Sequence, residues 1–263
     1  EVSRMLHEAG ALLYGDGANM NALLGKIKPR EMGIDVMHIN THKALTTPHG
    51  GGGPGAGPVM ASEKLADFLP NPIVVRDEGT GFYKLAKPVH TIGRLNEWAG
   101  NFAVLLRAYA YIKTMGSEGL REVSQNAILN ANYIRERLRG AYNLPYDRRS
   151  MHEVIASASW QRAKGVRAWD IAKRLIDYDI HPPTMSFPIA HCLMIEPTET
   201  ESLATLDRFA QVMLAIADEV EQDPAVVKTA PHTTPVRRLD EVTASRKPNV
   251  RWRDSECRME KSG

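Results

Sequence analysis

Cysteine is nearly missing from this chain, with Cys192 and Cys257 the only two among 263 residues. Two thiols in no metal-binding spacing exclude a disulfide scaffold and a cysteine-based zinc module. An excess of charge of one sign is missing too: 33 Lys plus Arg face 31 Asp plus Glu, a net +2. So small an excess gives no argument for nucleic acid or an anionic membrane surface as a partner. Long apolar runs are also lacking. The best of them, residues 99–112, is interrupted by Asn101 and Arg107 and falls short of the roughly 18 residues a spanning helix needs. Together these absences point to a reducing cytoplasm.

What remains is an ordinary globular composition, 43% hydrophobic and 24% charged, sufficient to bury a sizeable core. The chain opens on Glu1 rather than Met, and Val2, Met5 and Leu6 read as one face of a helix entered partway along. Glu1 is therefore expected to be an internal position of a longer protein.

Residues 11–14 form a short apolar run before Gly15-Asp16-Gly17, which reads as a buried strand ending in a turn. Residues 34–39 read as a second strand, buried on both faces as in a helix-covered parallel sheet. A short helix over residues 20–26 would join them. Residues 48–58 then hold six glycines and three prolines in eleven positions, followed by a strand over 59–62 and a helical turn over 63–68. Trp98, Phe102, Leu105, Leu106, Tyr109 and Ile112 mark one face of a long helix. After Gly116 a second stripe runs from Leu120 to Leu138, opened by Ser117 and stopped by Gly140. Strands are expected over 154–158 and 192–195, and a helix over 166–178. Thr198 and Glu201 form a capping box for a last helix through Leu203, Phe209 and Val220. Residues 224–252, punctuated by proline, read as extended surface chain. The whole reads as part of an α/β layer followed by a smaller α+β domain.

The glycine stretch contains a formal G-x-G-x-x-G at residues 50–55, but Pro54 and Pro58 stand where a dinucleotide-binding helix should begin. No Lys-Ser or Lys-Thr follows, which excludes a Walker loop. Lys43 follows His42 just after the second strand, at the carboxyl end where α/β proteins place their ligand crevices. A solvated surface lysine is the commoner case. Between an apolar strand and a glycine loop, however, a desolvated lysine would favour its free, nucleophilic amine. Asp16 is either a turn aspartate beside glycine or a buried carboxylate facing the same crevice. An Asp at one strand end and a Lys at the next suit pyridoxal phosphate: the Lys holds the aldehyde and the carboxylate keeps the ring nitrogen protonated. Ala18 is small enough to let a ring lie flat, whereas His42 is either a ring set against a cofactor or an ordinary core histidine.

The stretch LLYGDGANMNALLGKIKPREMGIDVMHINTHKALTTPHGGGGPGAGPV, residues 12–59, resembles the P-protein family of the glycine cleavage system. The likeness is to subunit 2 of the two-subunit glycine dehydrogenase (decarboxylating), in its carboxyl-terminal half. It continues through GRLNEWAGNF, LRAYAYI, LNANYI, HPPT, LMIEPTETES and APHTTPVRRLDEV. The resemblance implies the carboxyl-terminal part of a fold-type-I pyridoxal-phosphate transferase large domain plus a smaller α+β domain. Residues 1–96 would be the partial cofactor-binding domain, 97–253 the small domain with its linking helix, and 254–263 a disordered tail. It further implies that Lys43 holds pyridoxal 5'-phosphate, Asp16 pairs with the ring nitrogen, Ala18 packs on one ring face, and His42 and Thr41 adjoin the cofactor. His49 and residues 50–53 would shape the cavity. No resident metal is implied. Glycine is the implied substrate, lipoylated H-protein the acceptor, and subunit 1 the partner in a heterotetramer. Ala44 departs from the family, which usually has a hydroxyl residue beside the lysine. Rival readings are another fold-type-I decarboxylase or aminotransferase, or an inactive structural partner.

Overall fold

The computed structural model describes residues 1–50, 55–95 and 100–251. Glycines 51–53, Trp98, Cys257 and the expected tail at 254–263 lie outside the described residues. The chain divides into two compact units. The first holds Glu1–Arg137, Tyr146–Ile155 and Ile195–Asp207; the second holds Leu138–Pro145, Ala156–Met194 and Arg208–Gly263. The boundary expected at 96/97 thus falls inside the first unit.

The first unit opens with helix α1 (Val2–Glu8) and a three-stranded sheet of β1 (Tyr14–Gly17), β2 (Val36–Ile39) and β3 (Val59–Ala61). β1 and β2 are parallel, with Asp16 opposite His38. β3 runs antiparallel to β2, so the sheet is mixed rather than wholly parallel. β1 also begins later than expected, at Tyr14, and takes in the residues that read as a turn. The reason is visible at Gly17, where a β-carbon would lie 2.1 Å from the His38 carbonyl oxygen. Its glycines allow close strand approach rather than a turn.

β2 buries only Met37 fully, which packs with Met20 and Ala44 against Leu23, Leu24, Ile34 and Ile39. The helix expected over 20–26 is a run of turns. Asn19 accepts from the Asn21 amide through its own side chain, and Gly25 sits at φ 65°. Both features compete with a helical ladder. After β2 come the single-turn helices α2 (Thr41–Ala44) and α3 (Glu63–Ala66), then the antiparallel pair β4 (Ile73–Arg76) and β5 (Tyr83–Ala86).

Helix α4 (Phe102–Leu138) is broken at Gly116, whose φ of 64° and ψ of −175° are not helical. The two expected stripes meet different fates. Val123, Ala127, Ala131, Ile134 and Leu138 are buried as read, each worth up to about 1.5–3 kcal/mol for the larger side chains. Before the break, Phe102, Leu106, Tyr109 and Ile112 are exposed, and Val104 and Ala108 are buried instead. Amphipathic patterning picks out a face that needs cover, and the described residues do not supply it there.

The remaining elements are β6 (Val154–Ser157), α5 (Ser159–Arg162), α6 (Ala168–Asp177), β7 (Thr184–Met185), β8 (Cys192–Ile195), α7 (Leu203–Gln222), α8 (Pro224–Thr229) and α9 (Glu241–Arg246). The strands lie in the order β6-β8-β7. Tyr142, Ile171, Leu175, Leu193, Met213 and Ile216 are fully buried in the second unit. The Tyr142 hydroxyl donates to the Met213 carbonyl at 2.9 Å, which satisfies the only polar atom of its buried side chain.

Two expectations fail at α7 and beyond. The Thr198 hydroxyl pairs with the Thr200 hydroxyl at 2.8 Å. It is Ser202 that accepts from the Thr205 amide at 3.2 Å and caps α7. Residues 224–252 are not merely extended, because α8 and α9 are both capped by aspartate: Asp223 accepts from Ala225 and Asp240 from Thr243. No helix of the described residues is long and apolar enough to cross a membrane.

Candidate active site

β1 and β2 run side by side and end at Gly17 and Ile39, and every residue predicted for the site follows or closes one of these two ends. Asp16 ends β1 with its Oδ1 accepting from the Ala18 amide at 2.8 Å. The His38 Nε2 approaches the same oxygen at 3.6 Å, and the His38 ring stacks on Tyr14 with centroids 5.8 Å apart. The Asp16 side chain is 72% exposed, which corrects the expected buried carboxylate: no side chain of the described residues covers it. Its Oδ2 accepts no hydrogen bond from the described residues.

The chain leaves β2 through Asn40 and winds at once into α2, which carries Thr41, His42 and Lys43 on consecutive positions. Thr41 is buried, donates to the Ala56 carbonyl at 3.1 Å and accepts from the Thr47 hydroxyl at 2.9 Å. This pair ties the start of α2 to Thr47, just before the glycine stretch, and to Ala56, near its end. His42 lies against His49, ring centroids 4.5 Å apart. Burial first, then the charges of His49 and Lys43, lower its pKa and keep the imidazole neutral. Its Nδ1 is buried and has no hydrogen-bond partner. Lys43 is exposed and makes no ion pair among the described residues, so the desolvation expected for it is not present.

Three residues that the sequence reading left aside stand together in the same unit. His152 Nε2 lies 3.9 Å from Glu153 and 4.0 Å from Glu196. Asn19 and Asn21, from the turn after β1, both donate to Glu196 Oε1, at 2.7 and 2.8 Å. Burial raises the Glu153 pKa, His152 opposes it, Glu196 adds to it, and the Lys43 charge opposes it. Glu196 was visible in MIEPTETES but was absorbed by the capping-box reading. Glu153 directly precedes β6 and Glu196 directly follows β8, a link that needs the strand order to be seen. A separate apolar cavity of 620 Å³ is lined by Val36, Pro58, Val59, Leu65, Phe68 and Leu105 among others, and no predicted site residue lines it.

Asp16, Thr41, His42 and Lys43 fit a cofactor with an aldehyde, a basic ring nitrogen and a flat face. An amine without an ion pair, a carboxylate oxygen without a donor and a neutral ring with an orphaned nitrogen are all present.

Comparison with known proteins gives the family likeness. Residues 123–234 match the family described as glycine dehydrogenase, C-terminal domain. The chain is 52% identical over 96% of its length to a probable glycine dehydrogenase (decarboxylating) subunit 2 of Caldanaerobacter subterraneus subsp. tengcongensis. It is 54% identical over 95% of its length to the protein of the same description in Chlorobium phaeobacteroides. It covers 52% of each, so the chain spans about half the length of the curated relatives it matches. Among solved structures, a glycine decarboxylase (P-protein) of the glycine cleavage system superposes with a TM-score of 0.67 at 19% identity, over 81% of this chain and 50% of that one. A cysteine desulfurase from Thermococcus onnurineus NA1 superposes with a TM-score of 0.61 at 17% identity, over 82% and 55%. At such identities the likeness is one of fold, and the fold is the expected fold-type-I architecture of pyridoxal-phosphate enzymes. By sequence, across nearly all of its length, the chain matches about half of the glycine dehydrogenase (decarboxylating) subunit 2 proteins, and residues 123–234 match the glycine dehydrogenase C-terminal domain.

Proposed function

We propose that this chain contributes the lysine-bearing part of a pyridoxal-phosphate-dependent glycine decarboxylase that passes an aminomethyl group to the lipoyl arm of H-protein. The observation that carries the reading is identity above 50% to subunit 2 proteins over nearly the whole chain, with Asp16 near the end of β1 and Lys43 just after β2, its parallel neighbour. The longer relatives carry about as much chain again outside the matched region, and we assign the remaining walls of the cofactor cavity to that part. Residues 1–96 supply the cofactor contacts of this chain. The protein works in the cytoplasm beside subunit 1, as a heterotetramer.

Each residue has a role in that reading. Lys43 presents the amine that holds the cofactor's aldehyde carbon. Asp16 Oδ2 would accept a hydrogen bond from the protonated ring nitrogen, a charge-assisted bond worth about 1.5–3 kcal/mol. Ala18 would pack on one face of the cofactor ring, His42 would adjoin it, and Thr41 anchors the start of α2 through its bonds to Ala56 and Thr47. The cofactor, when bound, takes up the electron pair left as the glycine C–C bond breaks and carbon dioxide departs. The lipoyl disulfide then opens: one sulfur bonds to the aminomethyl carbon and the other leaves with a proton.

The test is exchange of labelled bicarbonate into the glycine carboxyl group by the complete protein, with subunit 1 and lipoylated H-protein supplied. Exchange that rises with H-protein and vanishes in Lys43→Ala supports the reading. Amino transfer to a keto acid without exchange would replace it with an aminotransferase.

A further inference from the structure

Both ring nitrogens of His152 are buried, and neither has a hydrogen-bond partner. A buried imidazole always carries at least one N–H, so an unmet donor and an unmet acceptor, or two unmet donors, each cost free energy. Facing it are two part-buried carboxylates, Glu153 and Glu196, and one donor atom from each of the three residues lies within 4.8 Å of the others. Neither carboxylate makes an ion pair with a lysine or arginine among the described residues. Lys43 is close enough for its charge to act on Glu153 but forms no ion pair with it.

We propose that His152, Glu153 and Glu196 form a binding site for a divalent first-row metal ion such as Zn²⁺. One imidazole and two carboxylates are the donor types such ions take, and three protein ligands leave a further position for water or an incoming ligand. The His152-to-carboxylate separations of 3.9 and 4.0 Å need to close by roughly half an ångström to match ligands at about 2.0–2.2 Å around one ion. The hydrogen bonds that would hold a ligating carboxylate are already made. Asn19 and Asn21 both donate to Glu196 Oε1, the oxygen that lies 4.0 Å from His152 Nε2, and so fix the carboxylate in place. A ligating carboxylate held by outer hydrogen bonds is the usual arrangement of such sites. The site does not depend on the glycine reading, because none of its three ligands is a residue assigned to the cofactor.

Equilibrium dialysis and calorimetry of the 263-residue chain with Zn²⁺ in a non-chelating buffer test this directly. One ion per chain is expected, with affinity falling tenfold or more in His152→Ala and in Glu196→Gln. Asn19→Ala should lose roughly 10- to 100-fold, the usual cost of an outer-shell partner. His232→Ala, in the other unit, should bind as the parent does. X-ray absorption of the unmutated Zn²⁺ complex guards against a variant that fails to fold, and should report one imidazole with oxygen ligands and no sulfur. No stoichiometric uptake, affinity unchanged in both ligand variants, or a sulfur ligand would each overturn the site.

Discussion

The carboxylate of Asp35 is buried beneath three donors, and each comes from a different stretch of chain. The Leu13 amide donates at 2.9 Å, His7 pairs at 2.6 Å and Lys64 at 3.1 Å. The Leu13 amide first, then His7, lower its pKa far below the ordinary carboxylate value; burial acts against them, and Lys64 adds to the lowering. A folded-state pKa below the unfolded one stabilises the protein fully above the unfolded value, near 4, and that contribution fades as pH falls through the folded value. Asp35→Asn should therefore lower the thermal midpoint at pH 7 and flatten the acid limb of stability below about pH 4. An unchanged acid limb would show that Asp35 is not the group titrating there. At the site itself, Asp16→Ala in the complete protein should leave Lys43 labelled by borohydride reduction but cut turnover roughly 10²-fold, the scale of losing one fixed electrostatic partner. Asp16 and Lys43 could be picked out from sequence because strand ends and glycine loops are local signals. Their exposure could not, because burial depends on what other segments of chain pack over them.

Among elements, β8 was legible to the residue at Cys192–Ile195, as was the buried stripe of α4 after Gly116. A continuous apolar run and a helical repeat are patterns that short windows of sequence contain. The start of α7 is not legible in the sequence because Thr198, Thr200 and Ser202 all bear hydroxyls, and only geometry tells which amide each one reaches. This makes a clean comparison. Ser202→Ala should destabilise by about 1 kcal/mol, as loss of an N-cap does, while Thr198→Ala should change little. Equal losses in chemical denaturation would restore the Thr198 cap. The cluster of His152, Glu153 and Glu196 was illegible for a different reason. It joins the start of one strand to the end of another, 43 positions apart, and pairing order is not a local property.

For the whole molecule, the apolar side chains left in solvent carry the main consequence for handling it. Phe82, Tyr83, Phe102, Leu106 and Tyr109 are each more than half exposed, all in the first unit. Exposed apolar surface on this scale drives association. The chain on its own should bind an apolar-reporter dye and self-associate as concentration rises, and Phe102→Ser with Leu106→Ser should weaken both. A monodisperse, dye-silent chain in sedimentation would contradict this. The division into units has another consequence. The backbone passes between them at 137/138, 145/146, 155/156, 194/195 and 207/208, so neither unit is a continuous stretch of sequence. Residues 123–234, the span that the family description matches, begin within one unit and end within the other. Cloned by itself, that span would cut the first unit's sheet from its helix and leave the second without α9. Anyone seeking a crystallisable or splittable piece of this protein has no single pair of cut sites that preserves either unit, and fragment complementation would have to be planned around the complete interleaved chain.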